Sequence, residues 1–254
     1  MKKSKLLILI ISLVVSLSCK NESEAQPDFS CDKAAKITKQ SFGDLGMIIE
    51  YSNGKISKVY RADGKGLTEN YNYKSATEVE IKRIFSDGGV GNLFNATLNS
   101  MGYVTKFVQI SDVAPYTIEY TYDAQGYPLT SKAVYPKEAS SNSNSVYTYS
   151  NGNLTKKVTY QNGAVIYTED YTYYEDKINK ADLIGNGNTP DMYGKFSTNL
   201  LKTHKTTNAD KTTELYEYTY DLNAAGFVKS LTEKHTDSKA KVTSQVNKYE
   251  YVCL

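Results

Sequence analysis

The chain has 254 residues, enough for one large β domain or two small ones. Hydrophobic residues make up 40%, mean hydropathy is −0.50, Trp is absent and 23 Tyr stand against 7 Phe, so the apolar surface is mostly phenolic and suits a sheet with one wet face. The formal charge of +2 falls to −1 without Lys2, Lys3 and Lys5 of an acid-free leader, and such a near-neutral chain has nothing to steer it to nucleic acid.

Residues 1–18 have the form of an export signal. Lys2, Lys3 and Lys5 make its charged start and Leu6 to Leu17 its apolar stretch, which is too short to span a bilayer comfortably. It ends in Ser16-Leu17-Ser18-Cys19, which resembles the bacterial lipobox, where the Cys thiol takes a diacylglycerol and becomes the new N-terminus. The match departs from the pattern at Ser16, where a Leu-type residue is usual, and plain secretion is the alternative. Lipidation of Cys19 implies a membrane anchor, since each buried acyl methylene contributes about 0.8 kcal/mol. Lys20 to Pro27 read as a polar tether within a lead-in covering residues 19–45, and its acidic Glu22 and Glu24 resemble the export tag of Bacteroidetes-type surface lipoproteins. These features place the protein outside the cytoplasm, at the outer membrane, facing the periplasm or the surface. Cys31 and Cys253 lie near the two ends of the mature chain, and an oxidising compartment permits a bridge between them. It would close a loop of roughly 220 residues and contribute about 5 kcal/mol by chain entropy. Two separate buried thiols are the alternative.

Asp32 to Gln40 is the one helix candidate. From Gly46 onward the chain is punctuated by hairpin signals. Asn53-Gly54, Asn151-Gly152 and Asn162-Gly163 suit two-residue turns with positive φ at both positions, and Asp63-Gly64 is a fourth candidate. Longer turns fall at Asp123 to Gly126 and Leu222 to Gly226. Ser86 to Asn92 lacks the Gly-Lys-Ser/Thr ending of a phosphate loop and reads as a wide β-turn. Pro136 to Asn144 and Gly185 to Asn199 read as loops, the latter with a helical turn near Pro190. Between turns the segments alternate. In Leu215 to Tyr220 the three tyrosines fall on one face, whereas the returning strand Leu154 to Tyr160 alternates less cleanly. The expectation for residues 46–254 is an all-β domain, one large curved antiparallel meander of roughly 14 to 16 strands. Whether its ends meet as a barrel is left open. A lipid-facing wall is not expected, because Tyr holds mid-strand positions and Thr, Lys and Glu fill the opposite face.

A phrase recurs along this meander: Tyr-x-Tyr, a Gly- or Asn-bearing turn, then a hydrophobe with Thr or Ser and Lys. It reads EYTYDAQGYPLTSK from Glu119, VYTYSNGNLTKK from Val146, DYTYYEDKINK from Asp170 and EYTYDLNAAGFVKS from Glu217. It resembles the tyrosine-aspartate repeats of Rhs-type shell proteins. A closer likeness, carried by the leader, by Gly194 to Lys202 and by Tyr216 to Phe227 with the terminal Tyr-x-Tyr strand, is to a family of uncharacterised Bacteroidetes lipoproteins with a porin-like fold. That resemblance implies a fold and an address, with no catalytic residues to carry over.

No reaction chemistry emerges from the residues. His204 and His235 have no ligands at metal spacing and read as exposed strand histidines. Asn186, Asn188 and Asp191 offer one carboxylate where calcium loops supply several. Glu119, Glu169, Asp170, Glu214 and Glu217 read as a wet face. The tyrosine pairs Tyr120 and Tyr122, Tyr147 and Tyr149, Tyr171 and Tyr173, and Tyr218 and Tyr220 are expected side by side, either as a stacked core or as a ligand-stacking wall inside a concave sheet. The expectation is a binding protein that is no enzyme, with no metal or cofactor, taking a glycan or an envelope protein. A scaffold without a small ligand is the alternative. The oligomeric state leaves no mark on the sequence.

Overall fold

The computed structural model describes residues 31, 35–42, 45–110, 114–181, 192–195 and 197–253. Cys19, the leader, the tether from Lys20 to Pro27, the Pro190 segment and the oxygen-bearing residues Asn186, Asn188 and Asp191 lie outside the described residues.

Sixteen antiparallel strands follow one another up and down. They are β1 (Ala35–Phe42), β2 (Leu45–Ser52), β3 (Lys55–Arg61), β4 (Leu67–Tyr73), β5 (Glu78–Phe85), β6 (Val90–Leu98), β7 (Val104–Ile110) and β8 (Tyr116–Tyr122). The second half comprises β9 (Pro128–Val134), β10 (Ser143–Ser150), β11 (Asn153–Gln161), β12 (Ala164–Ile178), β13 (Asn199–Asn208), β14 (Thr213–Leu222), β15 (Val228–Thr236) and β16 (Val242–Cys253). Each pairs with its neighbour in sequence, and β1 pairs with β16, so the meander closes into a barrel. The N-terminal expectation is corrected here. The segment read as a helix is mostly β1, and the barrel starts at Ala35 rather than at residue 46. Its Lys36, Ile37, Thr38 and Lys39 lack a helical stripe, and the far end of the chain supplies a partner along the strand: Ile37 faces Tyr251, and Lys39 faces Glu250 on one side and Ile48 of β2 on the other. Cys31 and Cys253 are disulfide-bonded at this seam, with Cα atoms 5.9 Å apart. Pro136 to Asn144 is shorter as a loop than expected: it holds a 3₁₀ turn at Ala139–Ser141, and β10 begins at Ser143.

The recurring phrase has a definite geometry. Asn53-Gly54, Asn151-Gly152 and Asn162-Gly163 all take positive φ at both residues, as a two-residue hairpin turn requires. Asp63-Gly64 differs, with positive φ only at the glycine. In the longer turns an Asx side chain caps the backbone: Asp123 Oδ1 accepts from the N–H groups of Gln125 and Tyr127, and Asn99 Oδ1 from those of Met101 and Tyr103.

A β-bulge follows each of these turns at one end of the barrel. Leu98 faces Val104 while Thr97 faces Lys106, so Thr105 is the extra residue. Ser57, Thr155 and Lys229 occupy the same place in their hairpins. The bulge restarts the alternation, so inward positions run i, i+3 rather than i, i+2: Ile56 and Val59, Val104 and Phe107, Val228 and Leu231 are all buried. It also frees a carbonyl, and a tyrosine of the following strand caps it. Tyr122 donates to Val104 O at 2.7 Å, Tyr220 to Leu201 O at 2.8 Å and Tyr251 to Val228 O at 2.8 Å. The bulge threonines Thr105 and Thr155 donate to Thr97 O and Thr148 O. Lysines of the outer wall meet carboxylates across the strands, whereas Lys157, which ends the phrase from Val146, points into the barrel. Lys106 meets Glu119 at 3.7 Å, Lys234 meets Glu217 at 2.7 Å and Lys39 meets Glu250 at 2.7 Å, so the outer wall carries paired charge at mid-strand height.

Removing one cap leaves a carbonyl without its partner, at a cost of about 1–3 kcal/mol. Tyr220→Phe should therefore lower the thermal midpoint by several degrees. Tyr149→Phe, at a ring whose hydroxyl meets no partner among the described residues, should leave it nearly unchanged. Equal midpoints for the two variants would refute the capping role.

Candidate functional site

A sixteen-stranded barrel is wide enough to hold an aqueous channel. Here the width is filled unevenly. The interior beside β15, β16 and β1 to β3 is packed by Ile37, Ile49, Ile56, Val59, Leu231 and Tyr249. A cavity of about 610 Å³ remains between the walls formed by β4 to β13, with Tyr218 of β14.

The connection between β12 and β13 closes the end that bears the Asn53-Gly54 and Asn151-Gly152 turns. Met192 is buried in the core, and Tyr193 meets Tyr120 edge to face at 5.6 Å. Lys195 N–H donates to Gly126 O, Thr198 N–H to Gly152 O, and Leu154 N–H to Ser197 Oγ. Gly194 sits where a Cβ would come within 2.6 Å of the Tyr122 ring and 2.8 Å of Gly126 O, at φ +96°, so the insertion needs glycine there.

Tyr120, Tyr147, Tyr149, Tyr171, Tyr173 and Tyr218 line the cavity. Tyr122 and Tyr220 do not; their hydroxyls are committed to Val104 and Leu201 at the closed end. The expectation that these rings lie side by side is corrected as well. They sit on β8, β10, β12 and β14, and the return strands β9, β11 and β13 separate them. Their ring contacts run to other partners: Tyr149 to Tyr127 at 5.0 Å, Tyr122 to Tyr103 at 5.5 Å and Tyr220 to Tyr174 at 6.0 Å. Burial pushes the Tyr120, Tyr149 and Tyr171 hydroxyls well above the usual phenol range, and those of Tyr173 and Tyr193 to about 12, so all remain protonated donors.

Two ion-paired clusters share this lumen with the exposed Lys195, and neither cluster was expected from the sequence. On one wall Arg83 Nε and Nη2 each stand 2.7 Å from Glu69 Oε1, Tyr71 donates to Glu69 Oε2 at 2.8 Å, and the guanidinium lies 4.7 Å from the centre of the Phe94 ring. On another, Lys157 Nζ is 2.7 Å from Glu169 Oε2 and His204 Nε2 is 3.0 Å from Glu169 Oε1. Burial disfavours the Glu169 carboxylate, but the His204 hydrogen bond and the Lys157 ammonium outweigh it and hold its pKa at about 2. Burial likewise opposes the charge on Lys157, and the facing carboxylate still raises its pKa. Glu69 and Glu169 each stand two residues before an inward tyrosine, Tyr71 and Tyr171. Strand alternation thus carried the signal that places them inside. Glu119 and Glu217 are exposed on the outer wall, paired with Lys106 and Lys234, and the exposed Asp170 faces Lys156 and Lys205, as the wet-face reading has it.

The histidines are not exposed strand residues. Cross-strand register stacks Tyr171 on His204 at 4.7 Å, His204 on Tyr216 at 5.4 Å and Tyr216 on His235 at 4.2 Å, with interplanar angles of 7°, 16° and 9°. Each imidazole also meets a carboxylate, His204 that of Glu169 and His235 that of Glu214 at 3.3 Å. Among the described residues no cluster of three His, Cys, Asp or Glu could hold a metal.

Among solved structures, the fold is similar to a porin-like protein from Bacteroides uniformis, with a TM-score of 0.63 and 14% identity over 89% of this chain and 100% of that one. It is also similar to a porin-like protein from Bacteroides vulgatus, with a TM-score of 0.58 and 14% identity over 86% of this chain and 100% of that one. At that identity the likeness is one of fold. No protein-family model matches the chain, and no curated protein does.

Because the Glu169 pKa is lowered from 4.5 to about 2 on folding, its pairing contributes stability that is full above about pH 4.5 and is lost as pH falls toward 2. Thermal melts between pH 6 and pH 2.5 should show this acid-side loss. In Glu169→Gln the acid limb should be shallower and the midpoint at neutral pH lower. An unchanged acid limb in the variant would sink the assignment.

Proposed function

We propose that the protein is an exported cell-envelope lipoprotein, held at the outer membrane by acyl chains on Cys19, whose barrel lumen binds a ligand without transforming it. Glycan is the leading ligand class. The observation that carries the binding role is the tyrosine-lined cavity of about 610 Å³, within the ~300–1,000 Å³ usual for small-molecule sites. Aromatic rings beside hydrogen-bonding side chains offer a sugar both a stacking face and hydroxyl partners. A binding role is favoured over a catalytic one because each lumen carboxylate, Glu69 and Glu169, is already held by a cation.

The anchor follows from the leader and from the outer wall. Paired charges at mid-strand height do not suit the apolar band of a spanning barrel, so a lipid on Cys19 supplies the attachment instead. Cys31 is tied to Cys253 at the closed end, and residues 20–30 reach at most about 40 Å. An anchored protein would therefore turn its closed end toward the membrane. The alternative, a scaffold docking other envelope proteins, is favoured by exposed apolar side chains such as Val90 and Ile110 on the outer wall.

Two experiments test the proposal. Titration of the full chain in mild detergent with neutral oligosaccharides should give saturable binding that Tyr120→Ala weakens at least fivefold; failure of every sugar and lumen probe to bind would leave the scaffold reading. For the anchor, Cys19→Ala should move the protein from the membrane fraction to the soluble fraction. Sedimentation with membranes as complete as that of the parent would count against lipidation.

A further inference from the structure

Every charge paired inside the lumen is already closed by an opposite one. Arg83 is matched by Glu69, and Lys157 by Glu169, which also takes the His204 hydrogen bond. The two pairs sum to zero, and the remaining cation of the lining, Lys195, is exposed, its ammonium 5.8 Å from the centre of the Tyr127 ring, so its charge stays solvated. An anionic ligand approaching either cation meets a carboxylate 2.7 Å behind it, and a cationic ligand meets the reverse. These groups are half-buried or better, with Glu169 only 12% exposed, so breaking a pair to admit an ion strands the remaining charge in a poorly solvated place.

What the lumen does leave open is hydrogen-bonding capacity of a neutral kind. The hydroxyls of Tyr120, Tyr149 and Tyr193 have no partner among the described residues, and burial keeps all three protonated. The Lys157 ammonium has three donors and the guanidinium of Arg83 five, more than their carboxylates use. A purely apolar ligand would cover these groups without satisfying them, a desolvation cost that a hydroxyl-bearing ligand avoids. The rings of Tyr116 and Tyr147 add apolar faces to the lining.

We propose that the lumen selects uncharged, hydroxyl-bearing ring compounds over their ionised counterparts and over aliphatic compounds, with Tyr120, Tyr149 and Tyr193 as the hydroxyl-recognising groups. This rests on the reading of the lumen as the ligand site and adds its selectivity.

The test is calorimetric titration of the full chain with three matched probes: neutral oligosaccharides, the same sugars oxidised to uronic acids, and a medium-chain alkyl alcohol. A neutral sugar should bind at least tenfold more tightly than its uronate and than the alcohol. Tyr149→Phe, conservative in shape, should weaken the neutral sugar by about fivefold or more while leaving the alcohol unaffected. Glu69→Gln leaves Arg83 uncompensated and should narrow or reverse the preference over the uronate. Glu169→Gln should do the same through Lys157, and serves if the first variant folds poorly. Tighter binding of uronates or of the alcohol to the parent protein would overturn the selectivity while leaving the lumen as a binding site. Absence of binding by every probe would remove the site and the selectivity together.

Discussion

A closed sheet has no edge, so every strand of this barrel must meet two neighbours in register, and the bulges that follow turns at one end help to set that register. The extra residue turns the chain so that a hydrophobe, Ile56, Val104 or Val228, enters the core, and a lysine or other polar side chain soon after it faces water. A bulge also exposes backbone groups that a barrel wall must satisfy. The phenols of Tyr122, Tyr220 and Tyr251 do so at the carbonyls of Val104, Leu201 and Val228. Repetition of this one device explains why the chain is rich in Tyr and lacks Trp: a ring of that reach with a terminal hydroxyl fills the interior and closes a hydrogen bond at once.

Those caps belong to the end closed by the connection between β12 and β13, and the consequence is an interior with two characters. Near the turns the side chains are apolar and tightly buried, with Val104 fully hidden. The connection carrying Met192 and Tyr193 closes that end further. Away from it, between β4 and β13, the walls stand apart, and tyrosine hydroxyls, two ion pairs and the stacked Tyr171 and His204 rings line the space. The same side-chain type is thus structural at one level of the barrel and available at the other.

Charge follows a similar division between inside and outside. On the outer wall, pairs such as Lys106 with Glu119 lie in water, where each contributes little and the set favours solubility. In the lumen, Glu169 with Lys157 and His204 is shielded, and the shielding makes the pairing strong enough to hold the carboxylate ionised in acid. Identical chemistry therefore has different weight on the two faces of one strand.

Local periodicity was legible along the chain. Tyr-x-Tyr alternation placed Tyr120, Tyr147, Tyr149 and Tyr171 on one face, and Asn-Gly pairs marked the tight turns, because alternation and positive φ are set by covalent geometry within a few residues. The blurred pattern of Leu154 to Tyr160 was already the bulge at Thr155, unrecognised because a shift in alternation has no composition of its own. Closure was decided only by the tertiary structure. Ile37 becomes a strand residue because Tyr251 lies beside it, 214 residues away, and whether the ends of a twisted sheet meet depends on the summed twist and stagger of all sixteen strands. The lumen pairs were likewise invisible. Glu69 finds Arg83, and Glu169 finds Lys157 and His204, across strands whose register no short stretch of sequence specifies.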